Sequence, residues 1–287
     1  MNGPWLMKSA GLALIVTGPA ALPGWWPQIT TRIPGARPQL EPAPGRQPDV
    51  VLPAAVTRED ARRRLSAAVH AGHLRQGTLA VHGVAMVRAG AAVLLLGGHG
   101  AGKSMTGLAL AEDGWMPAAG DVCLIQAGRS GPARVIGGTR AYVVRRREAG
   151  RWFPEIALPG GAPEADVGGE LGPWYQPGAD GGARLAAIVT VSAGTTADSG
   201  SHAAPLGPHA AASALCRAST YLIDKILDAP AAEPLRLEES PGLCRRRVSL
   251  AREAAAPGAW HAAGDPRAIA AEAARLATAP ARRDGRQ

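Results

Sequence analysis

The chain has 287 residues, which is enough for one large domain or two small ones and for a sizeable buried core. Glycine and proline supply 37 and 25 residues without the Gly-X-Y period of collagen, and 46% of the residues are hydrophobic. Because the sequence holds one Phe and three Tyr, its core must be built mainly from Ala, Val, Leu and Ile. We therefore expect a modestly packed domain with long surface loops.

The charge balance is basic, with a formal net charge of +8. Arginine supplies 28 of the 31 basic residues, and the basic triplets at 145–147 and 245–247 are not interleaved with the aromatic residues on which single strands stack. Such an excess of Arg, alongside so much Ala, Gly and Pro, is typical of a GC-rich coding background. We predict no nucleic-acid partner, while attraction to other anionic partners stays open.

Cysteine usage and the N-terminal residues bear on the compartment. Three widely spaced cysteines fit neither a disulfide framework nor a paired-Cys zinc site, and they indicate buried free thiols in a reducing compartment. Residues 10–22 follow Lys8 in the outline of a signal peptide, but Gly18 and Pro19 interrupt the run, which is also too short for a membrane span. Residues 12–17 are equally typical of a β-strand. We predict a cytoplasmic protein without membrane partners, and a homo-oligomer is compatible with the sequence.

The N-terminal part, residues 1–75, is predicted to contain a strand, a Pro-rich loop and a helix. Residues 1–22 suggest the strand, and residues 23–55 carry many prolines without any periodicity, which is typical of a loop. Thr57 has the character of a helix start, and Gly72 is expected to end that helix.

The next part of the chain alternates strands and turns. Its predicted strands cover residues 79–87, 91–96, 122–125 and 142–144, with a further one at Val135. The first two have a hairpin-like spacing, and a glycine-rich turn then opens a helix that ends near Gly114. Gly107 lies inside this helix at a cost of about 1 kcal/mol relative to Ala, which indicates the close approach of a neighbouring strand.

The last part begins with a long Gly/Pro-rich insertion over residues 148–183, either a functional loop or a disordered one. The elements predicted after it are a buried strand (185–191), a polar loop (195–209) and two helices (208–227 and 266–277). The predicted fold class is α/β. We predict one main domain over residues 76–280 and a basic tail, expected to be disordered, over residues 281–287.

One motif carries chemistry. Residues 97–104, with the sequence GGHGAGKS, fit the pattern G-x-x-x-x-G-K-[ST] at every fixed position. Glycines let backbone N–H groups turn around a phosphate, and the N-terminus of the following helix adds partial positive charge. The alternative is a glycine-rich turn that matches by chance, with His99 a solvated loop residue. The predicted nucleotide site consists of Gly97, Gly98, His99, Gly100, Ala101, Gly102, Lys103 and Ser104.

The motif predicts that a nucleotide and Mg²⁺ bind here. Lys103 would reach the β- and γ-phosphates, and Ser104 would ligate the magnesium ion. Phosphoryl transfer also needs a carboxylate for the metal and the acceptor. Asp121, which lies beside a predicted strand 18 residues after Lys103, is the candidate for both tasks. The alternative for Asp121 is a turn residue that follows Gly120.

The motif and its flanks resemble the catalytic domain of HPr kinase/phosphorylase and its relatives. The resemblance is carried by residues 81–84 (VHGV), the strand and loop up to Ser104, residues 108–110 (LAL), Gly114-Trp115 and Asp121-Val122. It implies a P-loop kinase fold related to phosphoenolpyruvate carboxykinase, with a mixed sheet and flanking helices, and an enzyme that phosphorylates a serine hydroxyl. It also implies that His82, Lys103 and Asp121 are catalytic, although His82 could instead be a histidine satisfied within a strand pair.

Two departures separate the chain from this family. Where the family shows two adjacent acidic residues after the P-loop helix, Gly120 takes the first place and Asp121 the second; Glu155 or Asp166 could supply a carboxylate instead. The N-terminal domain of full HPr kinases is not recognisable in residues 1–80, so the expected substrate is not HPr. We expect an ATP-dependent serine kinase acting on a protein or peptide, for instance one that tailors ribosomally made peptides. The alternatives are a nucleotide-binding regulator without phosphate transfer and a P-loop ATPase that drives motion.

Overall fold

A computed structural model describes residues 3–128, 131–178, 181–194, 202–227, 239–255 and 258–279. It confirms an α/β protein with a mixed sheet and flanking helices. The predicted basic tail, 281–287, lies outside the described residues, as does the 195–201 part of the predicted polar loop. The proposed domain boundary at residues 75 and 76 stays a prediction. Within the described ranges, no helix has both the length and the apolar character that crossing a membrane requires.

The N-terminal residues form a small sheet with two helices. The sheet has the strand order β3-β1-β2-β4, from β1 (Trp5–Ser9), β2 (Leu12–Thr17), β3 (Glu41–Pro42) and β4 (Val50–Val51). The helices are α1 (Leu22–Ile29) and α2 (Arg58–Gln76), and a 3-10 turn, Thr30–Arg32, follows α1. The prediction of loop throughout residues 23–55 is therefore wrong for α1. Pro23 sits in the first helical turn, where proline is tolerated, and Trp26 and Ile29 are buried on one side of the helix.

Helix α2 begins where the sequence predicts, because the Thr57 side chain accepts a hydrogen bond from the backbone N–H of Asp60. It does not end at Gly72. The helix continues to Gly77, whose φ of 85° provides the left-handed cap. Gly72 has a packing purpose instead, since a Cβ there would lie 2.7 Å from a methyl group of Leu12.

The strands that follow in the chain are β5 (Thr78–His82), β6 (Val84–Arg88), β7 (Ala91–Leu96), β8 (Met116–Ala119), β9 (Val122–Gln126), β10 (Arg134–Gly138), β11 (Val143–Arg145), β12 (Glu164–Asp166), β13 (Ala183–Ala193), β14 (His202–Leu206) and β15 (Ala259–Gly264). All of them except β11 and β12 build the main sheet, in the order β5-β9-β10-β13-β7-β6-β8, with β15 beside β13 and β14 beside β15. Strands β11 and β12 pair with each other outside it. Strand β13 is parallel to β7 and β15, whereas the other pairs of the sheet are antiparallel, so the sheet is mixed.

Helices cover both faces of the main sheet. They are α3 (Lys103–Glu112), α4 (Arg146–Trp152), α5 (Pro208–Leu227), α6 (Pro241–Ala254) and α7 (Pro266–Thr278). Buried side chains of α5 and α6, such as Leu215 and Leu250, pack on one face, and those of α3 and α7, such as Leu108 and Ile269, pack on the other. Strand β14 shows that the predicted loop over 195–209 is wrong where it is described. The insertion over 148–183 likewise contains β12 and most of α4.

A bent antiparallel ribbon brings two parts of the sheet together. One half of the ribbon is β5 followed by β6, and the other is β8 followed by β9. Strand β5 pairs with β9 and β6 pairs with β8, and both halves bend between these two pairs. At the bend, the N–H of Gly83 donates to the carbonyl of Asp121 at 2.9 Å. A Cβ on Gly83 would lie 2.8 Å from the carbonyl oxygen of Leu95. The single strand predicted over 79–87 is therefore interrupted at Gly83, where a side chain would strike the neighbouring strand β7.

The three cysteines are free, but they are not all buried. Cys123 is buried in the main sheet, as expected, whereas Cys216 is half-buried and Cys244 is exposed. The prediction of buried thiols is therefore wrong for Cys244. This residue lies near the start of α6, outside the hydrophobic cores.

Candidate functional site

The glycine-rich loop runs from the end of β7 to the start of α3. Three of its glycines, Gly97, Gly100 and Gly102, have φ values of 152°, 78° and 95°, which favour glycine. A Cβ on Gly102 would lie 2.3 Å from the Cβ of Ala193, so this position also needs glycine for packing against the end of β13. The loop conformation therefore depends on the glycines that define the sequence motif.

Lys103 is the first residue of α3 and is buried. Its Nζ donates to the carbonyl oxygens of Gly97 at 2.9 Å and Gly98 at 3.0 Å. The ammonium group thus lies against the inside of the loop, where a phosphate would need a cation. Ser104 follows it in the first turn of the helix and lines the same cleft.

His82 and Asp121 meet at the bend of the ribbon. The Nε2 of His82 lies 3.2 Å from Oδ1 of Asp121; the His82 side chain is buried and that of Asp121 is about half exposed, at 47%. Thr139 holds the backbone here, because its Oγ1 accepts hydrogen bonds from the N–H groups of Asp121 and Val122 at 3.0 and 2.9 Å. The pair therefore combines a fixed imidazole with a carboxylate that ligands can reach.

A single cleft of about 630 Å³ joins this pair to the glycine-rich loop. The predicted site residues that line it are His82, His99, Gly100, Ala101, Gly102, Lys103, Ser104 and Asp121. Gly97 and Gly98 do not line it, but their carbonyl groups hold Lys103. The structure thus brings the nucleotide-binding and catalytic candidates into one site.

Residues of β11, α4 and β12 that the sequence does not predict as site residues also line this cleft. Arg145 ends β11, and its Nη1 lies 3.5 Å from the position that a Cβ on Gly100 would take. Its Nε lies 3.9 Å from Oε1 of Glu164, and Glu148 is a second carboxylate of the same wall. The basic triplet at 145–147 is a visible signal in the sequence for an anionic partner, but it does not indicate that Arg145 lies beside the glycine-rich loop. A guanidinium beside the loop is well placed for an anionic ligand.

The carboxylates proposed from the sequence as substitutes do not line the cleft. Glu155, which follows α4 in the chain, accepts a hydrogen bond from Arg267 of α7 at 2.8 Å. Oδ1 of Asp166 accepts from the N–H groups of Tyr142 and Gly168, at 2.9 and 3.0 Å. Both are occupied in holding the insertion.

Gly120 is tightly enclosed. A Cβ at this position would lie 2.1 Å from the carbonyl oxygen of Ala141 and 3.0 Å from Cα of Tyr142. No side chain fits there without movement of the backbone. A second carboxylate for the site would therefore have to come from elsewhere in the cleft, where Glu148 and Glu164 lie.

The opposite wall of the cleft comes from the N-terminal part of the chain. Arg32 of the 3-10 turn and Glu59, Arg62 and Arg63 of α2 line it. The hydrogen bond from Arg62 lowers the pKa of the Glu59 carboxyl, as do the charges of Arg63 and Arg32, and together they outweigh burial, which raises it. Among the described residues, the whole cleft has six Arg or Lys side chains and four carboxylates. The excess of positive charge favours an anionic ligand.

The residues that could hold magnesium are few. Within the described part of the chain, no group of three or more His, Cys, Asp or Glu side chains is placed to bind a metal ion. Ser104 and Asp121 both line the cleft and offer oxygen ligands. This set fits Mg²⁺, which commonly keeps several waters and takes one or two protein ligands together with substrate phosphates.

Comparison of the sequence with protein-family models gives no match, and comparison with curated proteins finds no significant similarity. The motif, its flanking residues and the geometry of the cleft therefore carry the indications of function.

Proposed function

We propose that the protein is an ATP- and Mg²⁺-dependent serine kinase with a P-loop fold of the HPr kinase and phosphoenolpyruvate carboxykinase type. Its acceptor would be a serine of a protein or peptide. The kinase would act in the cytoplasm. One observation carries the proposal: the motif lysine, Lys103, and the paired side chains of His82 and Asp121 line one cleft. A motif lysine such as Lys103 is required to hold phosphates. A carboxylate paired with an imidazole, as Asp121 is with His82, is suited to receive a hydroxyl proton.

The nucleotide would be held by the glycine-rich loop and α3. Lys103 would exchange its hydrogen bonds with the loop carbonyls for phosphate oxygens, and Arg145 would approach the same phosphates from the end of β11. Magnesium would neutralise phosphate charge, with Ser104 and Asp121 as its protein ligands. Each of these groups is already at the wall of the cleft, so little rearrangement is needed.

The acceptor serine would be activated beside the ribbon bend. Its hydroxyl oxygen attacks the γ-phosphorus, the bond from that phosphorus to the bridging oxygen of ADP breaks, and the hydroxyl proton passes to the carboxylate of Asp121. His82, held in the strand bend, would position that carboxylate through its 3.2 Å contact. Thr139 would position it through the backbone.

The second candidate is a nucleotide-binding regulator that transfers no phosphate. Gly120 favours it, because the residue occupies the place of a family carboxylate and its packing leaves no room for one. The two candidates share nucleotide binding and differ in phosphate transfer.

Two measurements test the proposal. Calorimetry should show ATP binding that depends on magnesium. Mass spectrometry of proteins and peptides from the same cell, after incubation with ATP, Mg²⁺ and the purified chain, should then reveal phosphoserine on a specific acceptor. Binding without any transfer would favour the regulator, and the absence of binding would refute both.

A further inference from the structure

Helix α2 faces the cleft with a row of polar side chains. Arg62, Ser66 and His70 are spaced four residues apart, so they lie on one side of the helix, and all three line the cleft. Leu65 and Val69 pack instead in the core of the N-terminal part. One helix therefore serves both as a core element and as a wall of the site.

Two of these polar groups are buried without hydrogen-bond partners. Among the described residues, the hydroxyl of Ser66 and Nδ1 of His70 have no hydrogen-bond partner, and His70 is 4% exposed. Nε2 of His70 lies 3.9 Å from Oε1 of Glu239, an ion-pair distance; burial raises the pKa of that carboxyl, but His70 and Arg247 lower it by more. Buried polar groups in proteins are nearly always paired, so a pair of unsatisfied ones beside a cleft indicates a ligand that completes them.

The same wall is cationic. Nε of Arg62 donates to Oε1 of Glu59 at 3.0 Å, and Nε of Arg63 lies 3.8 Å from the same oxygen. Arg32 adds a third guanidinium to this part of the cleft. Three guanidinium groups around one lining carboxylate leave positive charge available for an anionic ligand.

We propose that the α2 wall, defined as Arg32, Arg62, Arg63, Ser66 and His70, is the acceptor-binding subsite, and that it takes a peptide with acidic residues next to the serine. The inference rests on the proposed function. The guanidinium groups pair with the acidic side chains, while Ser66 and His70 form hydrogen bonds with the peptide. The acceptor then lies between α2 and the glycine-rich loop, which brings its hydroxyl towards Asp121 in the same cleft.

A binding assay tests this without requiring phosphate transfer. The probe is a fluorescein-labelled peptide with one Ser flanked by Glu residues, added to the full chain with ADP and Mg²⁺, and its anisotropy is compared with that of a peptide in which Gln replaces every Glu. We expect the acidic peptide to bind about tenfold more tightly. Arg63→Gln and Ser66→Ala should each weaken its binding at least about threefold. Arg75→Gln is the matched control, because Arg75 is exposed on the same helix and does not line the cleft.

Thermal melting of the Ser66→Ala variant separates binding from a structural role. Since the hydroxyl has no partner, its removal should leave the melting temperature unchanged or raise it while peptide affinity falls. Nucleotide affinity, measured on the same samples, should not change. Wild-type protein that binds ATP and the acidic peptide but transfers no phosphate would refute the kinase and retain the subsite. Equal affinity for the two peptides, or peptide affinity unchanged in both α2 variants, would overturn the subsite.

Discussion

The hydroxyl of Tyr142 donates a hydrogen bond of 2.7 Å to the carbonyl oxygen of Ser104, and it does so directly over Gly107. A Cβ on Gly107 would lie 2.1 Å from that hydroxyl and 2.9 Å from Cγ1 of Val84. Burial raises the pKa of Tyr142, so its hydroxyl stays protonated and remains a donor. The contact fixes the first turn of α3, which carries two of the proposed nucleotide ligands, against the start of the insertion.

Gly107→Ala should therefore destabilise the protein by about 1 to 3 kcal/mol, although alanine is the better helix former by about 1 kcal/mol. Tyr142→Phe, which loses one buried hydrogen bond, should cost about 1 kcal/mol. The phenylalanine ring lacks the oxygen that a Cβ on residue 107 would strike. The variant with both substitutions should therefore lose less stability than the sum of the losses in the two single variants. Urea denaturation of all four proteins gives these free energies of unfolding, and strict additivity would show that the two residues do not interact.

The conformation of the glycine-rich loop could be predicted because every determinant of it is local. Glycines at fixed spacing, a preceding apolar run and a Lys-Ser pair at the helix start are all within a few residues of one another. His82 and Asp121 were also identified as candidates, but their contact depends on the register of the bent ribbon. That register is set by tight packing at Gly83 and Gly120, which the sequence shows merely as two more glycines in a chain that holds 37.

The α2 wall could not be predicted from the sequence. Residues 58–76 give a helix by capping and composition, but which face meets the glycine-rich loop depends on how the N-terminal sheet docks. Part of that docking is made by backbone hydrogen bonds, such as those from Arg140 and Ala141 to the carbonyl of Thr31. Because such bonds join backbone groups, they do not depend on which side chains are present. The sequence near α2 therefore does not indicate which part of the chain this helix faces.

Lys103→Ala should weaken binding of Mg²⁺-ATP about 10- to 100-fold, because a hydrogen bond from a charged donor contributes roughly 1.5 to 3 kcal/mol. Calorimetry measures the affinity, and circular dichroism confirms that the fold is kept. Lys8→Ala is the control, since Lys8 pairs with Glu41 at the surface of the N-terminal sheet, far from the motif in sequence and absent from the cleft wall. Equal nucleotide affinity of wild type and the Lys103 variant would refute nucleotide binding by the loop.

Asp121→Asn should keep most nucleotide binding and lower the rate of phosphate transfer about 10² to 10⁴-fold, the usual contribution of a general base. The amide preserves the size of the side chain but cannot take up the hydroxyl proton. Asp113→Asn supplies the control, because Asp113 is exposed at the end of α3 and does not line the cleft. Initial rates of phosphopeptide formation provide the measurement. Undiminished transfer in the Asp121 variant would assign the base to another carboxylate of the cleft, Glu148 or Glu164.

The family resemblance predicts that Gly120→Asp restores a missing carboxylate and raises the transfer rate. The structure leads to the opposite expectation. A Cβ placed 2.1 Å from the carbonyl oxygen of Ala141 forces the backbone apart, so both Gly120→Ala and Gly120→Asp should lower the melting temperature and the transfer rate. Gly150→Ala in α4, where a Cβ meets nothing within 4 Å, is the control and should stabilise the protein by about 0.5 to 1 kcal/mol. A faster Gly120→Asp variant with unchanged melting temperature would contradict this packing argument.

His73 should make stability depend on pH. Its Nε2 lies 2.8 Å from Oγ of Ser9, and because that hydroxyl donates to the carbonyl of Pro34 at 2.7 Å, the imidazole is the donor in the first contact. Burial, with a smaller effect of His70, lowers the pKa of His73 from 6.5 to about 4. Between pH 6.5 and about 4, the His73 side chain is therefore protonated in the unfolded state and neutral in the folded state.

The contribution of neutral His73 to the free energy of unfolding is complete above pH 6.5. It is lost as the pH falls towards 4, and the loss amounts to roughly 3 kcal/mol in all. Urea denaturation at several pH values between 7 and 4 measures the free energy of unfolding. His73→Gln, whose side-chain amide can still donate to Ser9, removes the titration but leaves the carboxylates that also titrate near pH 4. Wild type should therefore lose more stability than the variant over this range, and parallel curves for the two proteins would show that His73 is not the group responsible.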